Sequence, residues 1–198
     1  ISGGSTMAAV AEEMPILPFN PIVVPARGGV GAVVEYQANV IASVLAERLR
    51  GTYKMLHLPD GLSQDSLHML MTCEPQIKEI GDLISRTDVL LFGIGTAMRM
   101  ADQRHIADDV RKQLVDNHAV GEALGQYCDM DGKLIYSTNN IGLSLPDVAK
   151  VPNVIAVAGG QEKASAIIGV MRACQKGILI IDEQAAEGMR QLLQISAL

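Results

Sequence analysis

Short apolar runs alternate along this chain with longer stretches in which apolar residues recur at helical spacing. The apolar runs predict β-strands over residues 22–24, 53–58, 88–92, 154–158 and 178–181. The periodic stretches predict helices over residues 6–14, 33–50, 162–173 and 185–193, and around Ile77, Ile80 and Ile84. This alternation favours an α/β fold, which we expect to be doubly wound around a mostly parallel sheet.

The middle of the chain has a weaker pattern. Residues 96–114 are predicted to be helical or irregular, and residues 120–125 form a small apolar segment. Asp131-Gly132 predicts a hairpin turn between two short antiparallel strands, because this dipeptide tolerates the positive φ angles of such turns. No linker divides the 198 residues, so we predict a single domain over residues 1–198.

The composition supports a buried aliphatic core and argues against a nucleic-acid-binding surface. Hydrophobic residues make up 48% of the chain, Trp is absent, and Phe occurs only 2 times. The net charge is −6, and Lys and Arg form no cluster along the sequence. Because DNA-binding surfaces gain affinity by neutralising phosphates, we do not expect this stretch to bind DNA by itself.

The cysteines Cys73, Cys128 and Cys174 are isolated from one another in the sequence. Neither they nor the histidines have the spacing of a metal site. We therefore expect no metal ion, no cofactor and a reduced, cytoplasmic protein, with the histidines structural or exposed. No apolar run approaches the roughly 20 residues that cross a bilayer, so we expect no membrane partner.

Glycine turns are expected at strand ends, at Gly3-Gly4, Gly28-Gly29-x-Gly31, Gly93-x-Gly95 and Gly159-Gly160. Ile1-Ser2 resembles the end of a strand that enters the first turn, so we expect further chain before it. In open α/β sheets ligands bind beyond the carboxyl ends of strands, and glycine lets the backbone approach them closely. One such turn is common in α/β proteins, but their repetition favours an anionic ligand.

Hydroxyl and cationic side chains stand beside these turns. Ser5 and Thr6 follow the first turn and could either share a phosphate or cap the next helix. Arg27 begins the second turn, where its guanidinium could hold a phosphate or form a surface salt bridge. Lys163 follows the last turn, at the start of a helix, where a cation opposes the helix dipole unless an anion is bound. This cost favours a ligand role for Lys163.

Other polar residues are candidates for a ligand contact or for a structural role. Gln37, early on its helix, could bind a sugar hydroxyl with help from Asn39, although solvation would also explain both. Arg104 and Glu122 could bind hydroxyls or phosphate. Asp182-Glu183 follows the last strand, where catalytic carboxylates often lie, and we interpret it instead as the cap of the next helix.

Several of these segments occur together, in the same order, in one known family. They are residues 23–29 (VVPARGG), 37–39 (QAN), 93–95 (GIG), 154–160 (VIAVAGG) and 163–164 (KA). Over nearly its whole length the chain resembles the C-terminal domain of the SorC/DeoR-type sugar-responsive transcription regulators. Gly3-Gly4-Ser5-Thr6 and Asp182-Glu183 also fit the pattern. No single segment is specific, whereas their joint occurrence is.

The resemblance implies an effector-binding domain of a bacterial transcriptional repressor, similar in fold to ribose-5-phosphate isomerase and glucosamine-6-phosphate deaminase. The DNA-binding domain, an N-terminal winged helix-turn-helix, would be absent from this chain and would alone contact operator DNA. The expected effector is fructose-1,6-bisphosphate or a related phosphorylated sugar. The expected assembly is a homodimer or a homotetramer.

The resemblance also implies roles for individual residues. A phosphate would be held by Ser5, Thr6, Arg27 and Lys163, and the sugar or a second phosphate would be addressed by Gln37, Arg104 and Glu122. The complete predicted ligand-binding set is Gly4, Ser5, Thr6, Arg27, Gln37, Gly95, Arg104, Glu122, Gly160 and Lys163. Where relatives have two adjacent arginines this chain has Gln103-Arg104, which could change the preferred effector.

Two other functions remain open at this point. A sugar-phosphate isomerase or deaminase on the same fold would need a carboxylate base, for which Glu122 or Asp182 could serve. A purely structural oligomerisation module would leave Arg27 and Lys163 unexplained beside their glycine turns. We favour a sensor that is not an enzyme.

Overall fold

The computed structural model describes residues 1–29, 33–59 and 61–194. Gly31 and Asp60, which were expected in turns, lie outside the described residues. The helices are α1 Ser5–Glu13, α2 Ala38–Arg48, α3 Gln64–Cys73, α4 Pro75–Ser85, α5 Ala97–Gln103, α6 Asp108–Asp116, α7 Leu145–Val148, α8 Ala164–Cys174 and α9 Glu183–Leu192. The strands are β1 Ile22–Val23, β2 Thr52–Tyr53, β3 Val89–Gly93, β4 Gly95–Thr96, β5 Gly121–Ala123, β6 Gln126–Cys128, β7 Leu134–Ser137, β8 Asn153–Ala158 and β9 Ile178–Ile181.

The chain forms two compact units. Unit 1 consists of Ile1–Phe92, Thr138–Leu143 and Val151–Asn153. Unit 2 consists of Gly93–Ser137, Ser144–Lys150 and Val154–Leu198. A single effector-binding domain over residues 1–198 stays a prediction.

Unit 1 contains the parallel pair of β1 and β2, in which Ile22 lies opposite Thr52. The predicted strand over residues 53–58 is shorter than expected, since β2 ends at Tyr53. The reason is visible at Leu56, whose backbone N–H and carbonyl both bond to the side-chain amide of Asn39, at 2.9 and 3.1 Å. A backbone that is satisfied by a side chain needs no strand partner there.

The predicted helix over residues 33–50 begins later than expected. Val34–Tyr36 forms a 3₁₀ turn, and Gln37 is extended, so that α2 starts at Ala38. The carbonyl of Tyr36 accepts a hydrogen bond from the N–H of Gly4 at 2.9 Å. This contact from outside the helix replaces the local bond that a continuous helix would require.

A glycine after a helix commonly ends it by adopting the left-handed conformation itself, but Gly51 after α2 does not. The left-handed conformation is taken by Arg50, with a φ of 53°. Gly51 is required for a different reason, because a Cβ there would lie 2.7 Å from Cδ of Pro21. The turn therefore depends on close backbone approach and not on a positive φ of the glycine.

Unit 2 combines a parallel strand pair with an antiparallel sheet. Strands β8 and β9 are parallel, with Ile155 opposite Ile178, and their predicted positions are confirmed. Strands β4, β5, β6 and β7 form a 4-stranded antiparallel sheet in that order. The mixed α/β class is confirmed, but a mostly parallel sheet is wrong for this part of the chain.

Short turns explain the antiparallel pairing, because parallel neighbours would need a long crossover. Leu124 and Gly125 connect β5 to β6 with φ angles of 54° and 79°, the signs that a tight hairpin turn requires. The predicted Asp131-Gly132 hairpin between β6 and β7 is also confirmed, with a φ of 85° at Gly132.

Helix α8 packs on β5, where a Cβ at Gly121 would lie 2.7 Å from the carbonyl oxygen of Ala166.

The sequence pattern predicted helix α4 but not helix α3. The Ile80 and Ile84 stripe of α4 is buried as predicted. No helix was predicted at α3, although Ser63 caps it by accepting from the N–H of Ser66 at 3.1 Å. Serine before a polar helical turn is a common start signal, and it could have identified α3.

The core of each unit is aliphatic, with a few aromatic rings. In unit 1, Phe92 and Leu90 of β3 are 0% and 1% exposed, whereas Val89 is 53% exposed. A continuous apolar run such as residues 88–92 is typical of a fully buried strand, whereas β3 alternates between buried and more exposed positions. In unit 2, Tyr127 and Leu114 are fully enclosed and pack with Ala97 and Ala101.

Replacing Phe92 with Ala should lower the free energy of unfolding by about 3–5 kcal/mol, because it empties a fully buried site. Urea unfolding followed by circular dichroism measures this loss. Val89→Ala, on the same strand, is the control and should change stability by about 0.5 kcal/mol or less. Equal losses in the two variants would contradict the alternating burial of β3.

Candidate functional site

The first glycine turn of unit 1 leads directly into α1. Gly4 occupies the N-cap position with φ 112° and ψ 157°, and no described side chain caps the helix. The expectation that Ser5 or Thr6 caps α1 is therefore wrong, since both are already helical. Uncapped N–H groups and two hydroxyls together make a suitable place for a phosphate.

Gln37 lies beside this turn. A Cβ at Gly3 would be 2.7 Å from the carbonyl oxygen of Tyr36 and 3.3 Å from the nitrogen of Ala38, the two residues that flank Gln37. The structure thus brings the Gly3–Gly4 turn together with Gln37, at the N-cap of α2 rather than within the helix. This proximity was not predicted from the sequence, and the ligand roles of these residues stay predictions.

Arg27 is buried, with 9% of its surface exposed. Its backbone forms an antiparallel bridge with Gly142, where a Cβ would lie 2.5 Å from Cα of Arg27. One guanidinium nitrogen, Nη2, donates to Oγ1 of Thr138 at 3.2 Å. Arg27 is therefore not exposed on the surface, where the alternative interpretation placed it. A buried guanidinium in a glycine-flanked loop can bind an anion strongly, because little water screens it.

Asn39 does not have the role suggested for it. Its amide oxygen and nitrogen both bond to the backbone of Leu56, and its Nδ2 lies 3.5 Å from Nδ1 of His57. With 6% exposure, Asn39 fixes the segment after β2. It is a structural residue and does not assist Gln37.

In unit 2, Gly95 lies opposite Glu122 in the ladder between β4 and β5. A Cβ at Gly95 would lie 2.5 Å from Cγ of Met100 and 3.8 Å from Oε2 of Glu122. Glycine is therefore needed here for close packing. The strand pair places Gly95 directly beside the Glu122 carboxylate.

Glu122 and Arg104 pair with each other. Nη2 of Arg104 lies 3.0 Å from Oε1 of Glu122, and the N–H of Gly125 donates to the same oxygen at 2.6 Å. Glu122 is 3% exposed. Each residue was predicted to contact the ligand, and the structure shows that their charges already compensate one another. Arg104 carries five N–H donors, so this pair uses only part of its guanidinium.

The last glycine turn is held by Asp182. The N–H of Gly160 donates to Oδ1 and Oδ2 of Asp182 at 3.1 and 2.9 Å. The N–H of Ala185 donates to Oδ1 at 2.8 Å, which confirms the predicted cap of α9. Gly159 permits this approach, since its Cβ would lie 2.6 Å from Oδ2. The sequence identified the cap but not the link to the glycine turn.

Hydrogen bonds lower the pKa of Asp182 below its ordinary value, the bond from Ala185 most and that from Gly160 next. Both donors stabilise the charged carboxylate. The turn that carries Gly160, with a φ of 99°, is thus fixed by an ionised side chain.

Lys163 ends the 3₁₀ turn Gln161–Lys163 and is the N-cap of α8. It is half-buried, and this burial is the main cause that lowers its pKa. The positive charge of Arg99 lowers that pKa further, against the opposing effect of Glu162 and Asp182. Arg99 was not singled out in the sequence. The signal was available, because Arg99, like Lys163, follows a glycine-bearing strand and lies near the start of a helix.

Neither a metal-binding cluster nor a membrane-spanning helix is present among the described residues. Among them, His, Cys, Asp and Glu side chains form no group of three that could hold a metal ion. Within the same residues, no helix combines the length and apolar character needed to cross a membrane.

Comparison with known proteins gives the family. A family model described as "Putative sugar-binding domain" matches residues 1–191. The chain belongs to the sugar-binding domain family of SorC/DeoR-type transcriptional regulators. It is 39% identical over 189 residues to the central glycolytic genes regulator of Bacillus subtilis, covering 94% of this chain and 55% of that protein. The corresponding regulator of Priestia megaterium is 41% identical over 189 residues, with the same coverage of 94% and 55%.

Solved structures agree with this assignment. A chain from Enterococcus faecalis, described as a "putative SorC family transcriptional regulator", is 40% identical with a TM-score of 0.87, covering 95% of this chain and 77% of that one. The full-length sorbitol operon regulator of Klebsiella pneumoniae shares the fold, with 22% identity, a TM-score of 0.84 and coverage of 95% and 64%. The chain spans about half the length of the curated relatives it matches. The family resemblance predicted from the sequence is confirmed.

Glu122→Gln should lower the free energy of unfolding by about 3 kcal/mol, because it leaves the mostly buried Arg104 without its counter-charge. The amide still offers an oxygen to Gly125, so shape is retained. Urea unfolding at neutral pH measures the change. Asp116→Asn, which breaks the exposed pair with Lys112, is the control and should cost less than about 1 kcal/mol. Equal effects would show that the Glu122 pair contributes no more than a surface pair.

Asp182→Asn should make the free energy of unfolding depend less strongly on pH in the acid range. The folded pKa of Asp182 is below its ordinary 3.8, so its stabilising contribution is present above the unfolded pKa and is lost as pH falls towards the folded pKa. Urea unfolding between pH 3 and pH 7 should therefore show a smaller loss in the variant than in the wild type. Identical slopes would refute a role for the ionised carboxylate in holding the turn.

Proposed function

We propose that this chain is the effector-binding part of a bacterial transcriptional repressor and that it binds a phosphorylated sugar. The observation that carries the proposal is the position of two buried or half-buried cations, Arg27 and Lys163, each beside a glycine turn at a strand end. An anion can be held at such a position by the cation together with the backbone N–H groups of the turn. Membership of the sugar-binding domain family supports a carbohydrate as the rest of the ligand.

The proposed contacts are those predicted from the sequence. In unit 1 they are Gly4, Ser5, Thr6, Arg27 and Gln37, where an uncapped helix start lies beside an amide side chain. In unit 2 they are Gly95, Arg104, Glu122, Gly160 and Lys163. We propose that Ser5, Thr6, Arg27 and Lys163 hold phosphate and that the others address the sugar or a second phosphate.

The preferred effector in this proposal is fructose-1,6-bisphosphate or a related glycolytic intermediate. The relatives at 39% and 41% identity are both named central glycolytic genes regulators. The deoxyribonucleoside regulator of Bacillus subtilis and the sorbitol operon regulator of Klebsiella pneumoniae are more distant, at 27% and 24% identity. This difference favours a glycolytic sugar phosphate over a deoxyribose or sorbitol derivative. The Gln103-Arg104 pair is where a change of preference would arise.

Control of transcription would then follow from a shift between conformations. The effector must bind one arrangement of the regulator better than another, since a ligand without such preference shifts nothing. Operator DNA would be contacted by an N-terminal domain, because the acidic chain described here has a net charge of −6. We propose a cytoplasmic homodimer or homotetramer, with a fold like that of ribose-5-phosphate isomerase and glucosamine-6-phosphate deaminase.

A catalytic role is less favoured because both candidate bases are occupied. Glu122 accepts from Arg104 and Gly125, and Asp182 accepts from Gly160 and Ala185. A carboxylate that accepts from an arginine or from two backbone N–H groups is a weaker base, because these donors stabilise its charged form. Turnover of ribose-5-phosphate or glucosamine-6-phosphate that is abolished by Glu122→Gln would establish the enzyme instead.

Fructose-1,6-bisphosphate should raise the melting temperature of the chain in a concentration-dependent way. At 100 times the dissociation constant the stabilisation is about 2.7 kcal/mol, which corresponds to roughly 5–10 °C for a protein of this size. Differential scanning fluorimetry against a panel of glycolytic intermediates measures the shift. Fructose without phosphate is the matched control and should have no effect.

Two substitutions distinguish a ligand-binding sensor from a purely structural oligomerisation module. Lys163→Met should reduce the shift strongly without loss of folding, because Lys163 is only half-buried and methionine keeps most of its apolar side chain. Arg27→Met removes the buried guanidinium and should act in the same direction. If no phosphorylated sugar at millimolar concentration stabilises the wild type, the proposal of a sugar-phosphate sensor is wrong. Unchanged binding in both variants would favour a structural module.

A further inference from the structure

The segment Thr138–Leu143 lies against the loop that carries Arg27, and both belong to unit 1. The N–H groups of Gly28 and Leu143 each donate to a carbonyl of the opposite stretch at 2.8 Å. Between these two bonds, Arg27 and Gly142 form an antiparallel bridge. The backbone on both sides of Arg27 is therefore held by this one segment.

Thr138, the first residue of the segment, brings a hydroxyl to the guanidinium. Its Oγ1 accepts a hydrogen bond from Nη2 of Arg27 at 3.2 Å. The amide nitrogen of Asn140 donates to the carbonyl of Thr138 at 3.1 Å and reaches Oγ1 at 3.4 Å. Arg27 is buried, and the other two residues are half-buried. The amide of Asn140 thereby limits where the hydroxyl that accepts from Arg27 can lie.

This hydrogen bond orients the guanidinium before any ligand is bound. A long arginine side chain loses rotamer freedom when it is placed for a ligand. A contact that already holds one of its nitrogens in the free protein reduces what remains to be lost on binding. The acceptor is a neutral hydroxyl, so this contact does not cancel the positive charge. In the pair of Arg104 with Glu122, by contrast, the acceptor is a carboxylate.

We propose that Thr138 is a positioning residue that holds the guanidinium of Arg27 for a phosphate of the effector, and that Asn140 supports it. The inference rests on the proposed function and adds two residues that neither the glycine turns nor the family resemblance assigned. Thr138 acts through Arg27 and not through a contact of its own with the ligand. The site around Arg27 is then built from two stretches, the glycine loop that supplies the cation and the segment that supplies its acceptor.

Thr138→Val tests the contact, because it removes the hydroxyl and keeps the branched shape of the side chain. It should weaken binding of fructose-1,6-bisphosphate about fivefold by calorimetry, as expected for one lost hydrogen bond to a neutral group. Thr138→Ser restores the hydroxyl and should bind within about twofold of the wild type. Asn140→Ala leaves the hydroxyl in place and should have an effect between those of the two Thr138 variants.

Gln64→Ala is the matched control for a structural role of the segment. Nε2 of Gln64 donates to Oδ1 of Asn139 at 2.8 Å. The control therefore also removes a side-chain contact of residues 138–143, but not the contact with Arg27. It should retain the wild-type affinity. Equal losses of affinity in Gln64→Ala and Thr138→Val would overturn the inference, because the general stability of the segment would then govern binding.

A second measurement detects the orientation of the guanidinium without a ligand. A hydrogen bond slows the rotation of a guanidinium nitrogen about its bond to Cζ, and NMR of the Arg27 side chain measures that rotation. The rotation should be faster in Thr138→Val than in the wild type, in Thr138→Ser and in Gln64→Ala. Equal rates in Thr138→Val and the wild type would overturn the inference.

The outcomes distinguish this inference from the proposed function. Wild-type affinity in Thr138→Val, together with loss of affinity in Arg27→Met, would overturn the inference and leave the sugar-phosphate sensor intact. If no phosphorylated sugar binds the wild type, the proposed function is wrong, and the rotation of the guanidinium alone decides whether Thr138 positions Arg27.

Discussion

Glycine N–H groups in the candidate loops donate to acceptors far away along the chain, and these bonds set the shape of the loops. Gly4 donates to the Tyr36 carbonyl at 2.9 Å, and Gly160 donates to the Asp182 carboxylate at 2.9 and 3.1 Å. A glycine turn has no side chain to restrict it and loses much conformational entropy when it is ordered. The long-range acceptors offset that loss. They fix where the backbone can meet a ligand, and the start of α2, the start of α1 and the cap of α9 all follow from them.

The same arrangement divides the charged residues into two classes. Carboxylates are used for internal structure, since Glu122 compensates Arg104 and Asp182 holds a glycine turn and caps α9. Lys163, by contrast, is half-buried near the start of α8, where burial and the charge of Arg99 lower its pKa against the opposing effect of Glu162 and Asp182. An anionic ligand would stabilise the charged form of such a lysine. A catalytic carboxylate would need the opposite distribution, with an acid free to exchange a proton.

Local pattern was sufficient where an element is stabilised by its own residues. The run of β-branched and small apolar residues at 154–158 and at 178–181 predicted β8 and β9, and Asp131-Gly132 predicted the hairpin, since these depend on burial and on turn chemistry encoded nearby. The local sequence pattern was insufficient where the bounds or the pairing of an element depend on its tertiary contacts. Asn39 takes over the backbone of Leu56 and shortens β2. The short strands around Leu124-Gly125 pair antiparallel because their turn is too tight for a crossover.

By itself, the sequence determined the family, the mixed α/β class, the glycine turns and the residue types that stand beside them, because these are properties of neighbours along the chain. Only the tertiary structure decided which partners those residues have. Hydrogen bonds and charge pairs form between positions far apart in sequence, and their free energy depends on distance and burial. Thus Glu122 and Arg104 proved to be partners of each other, and Asn39 proved to be structural.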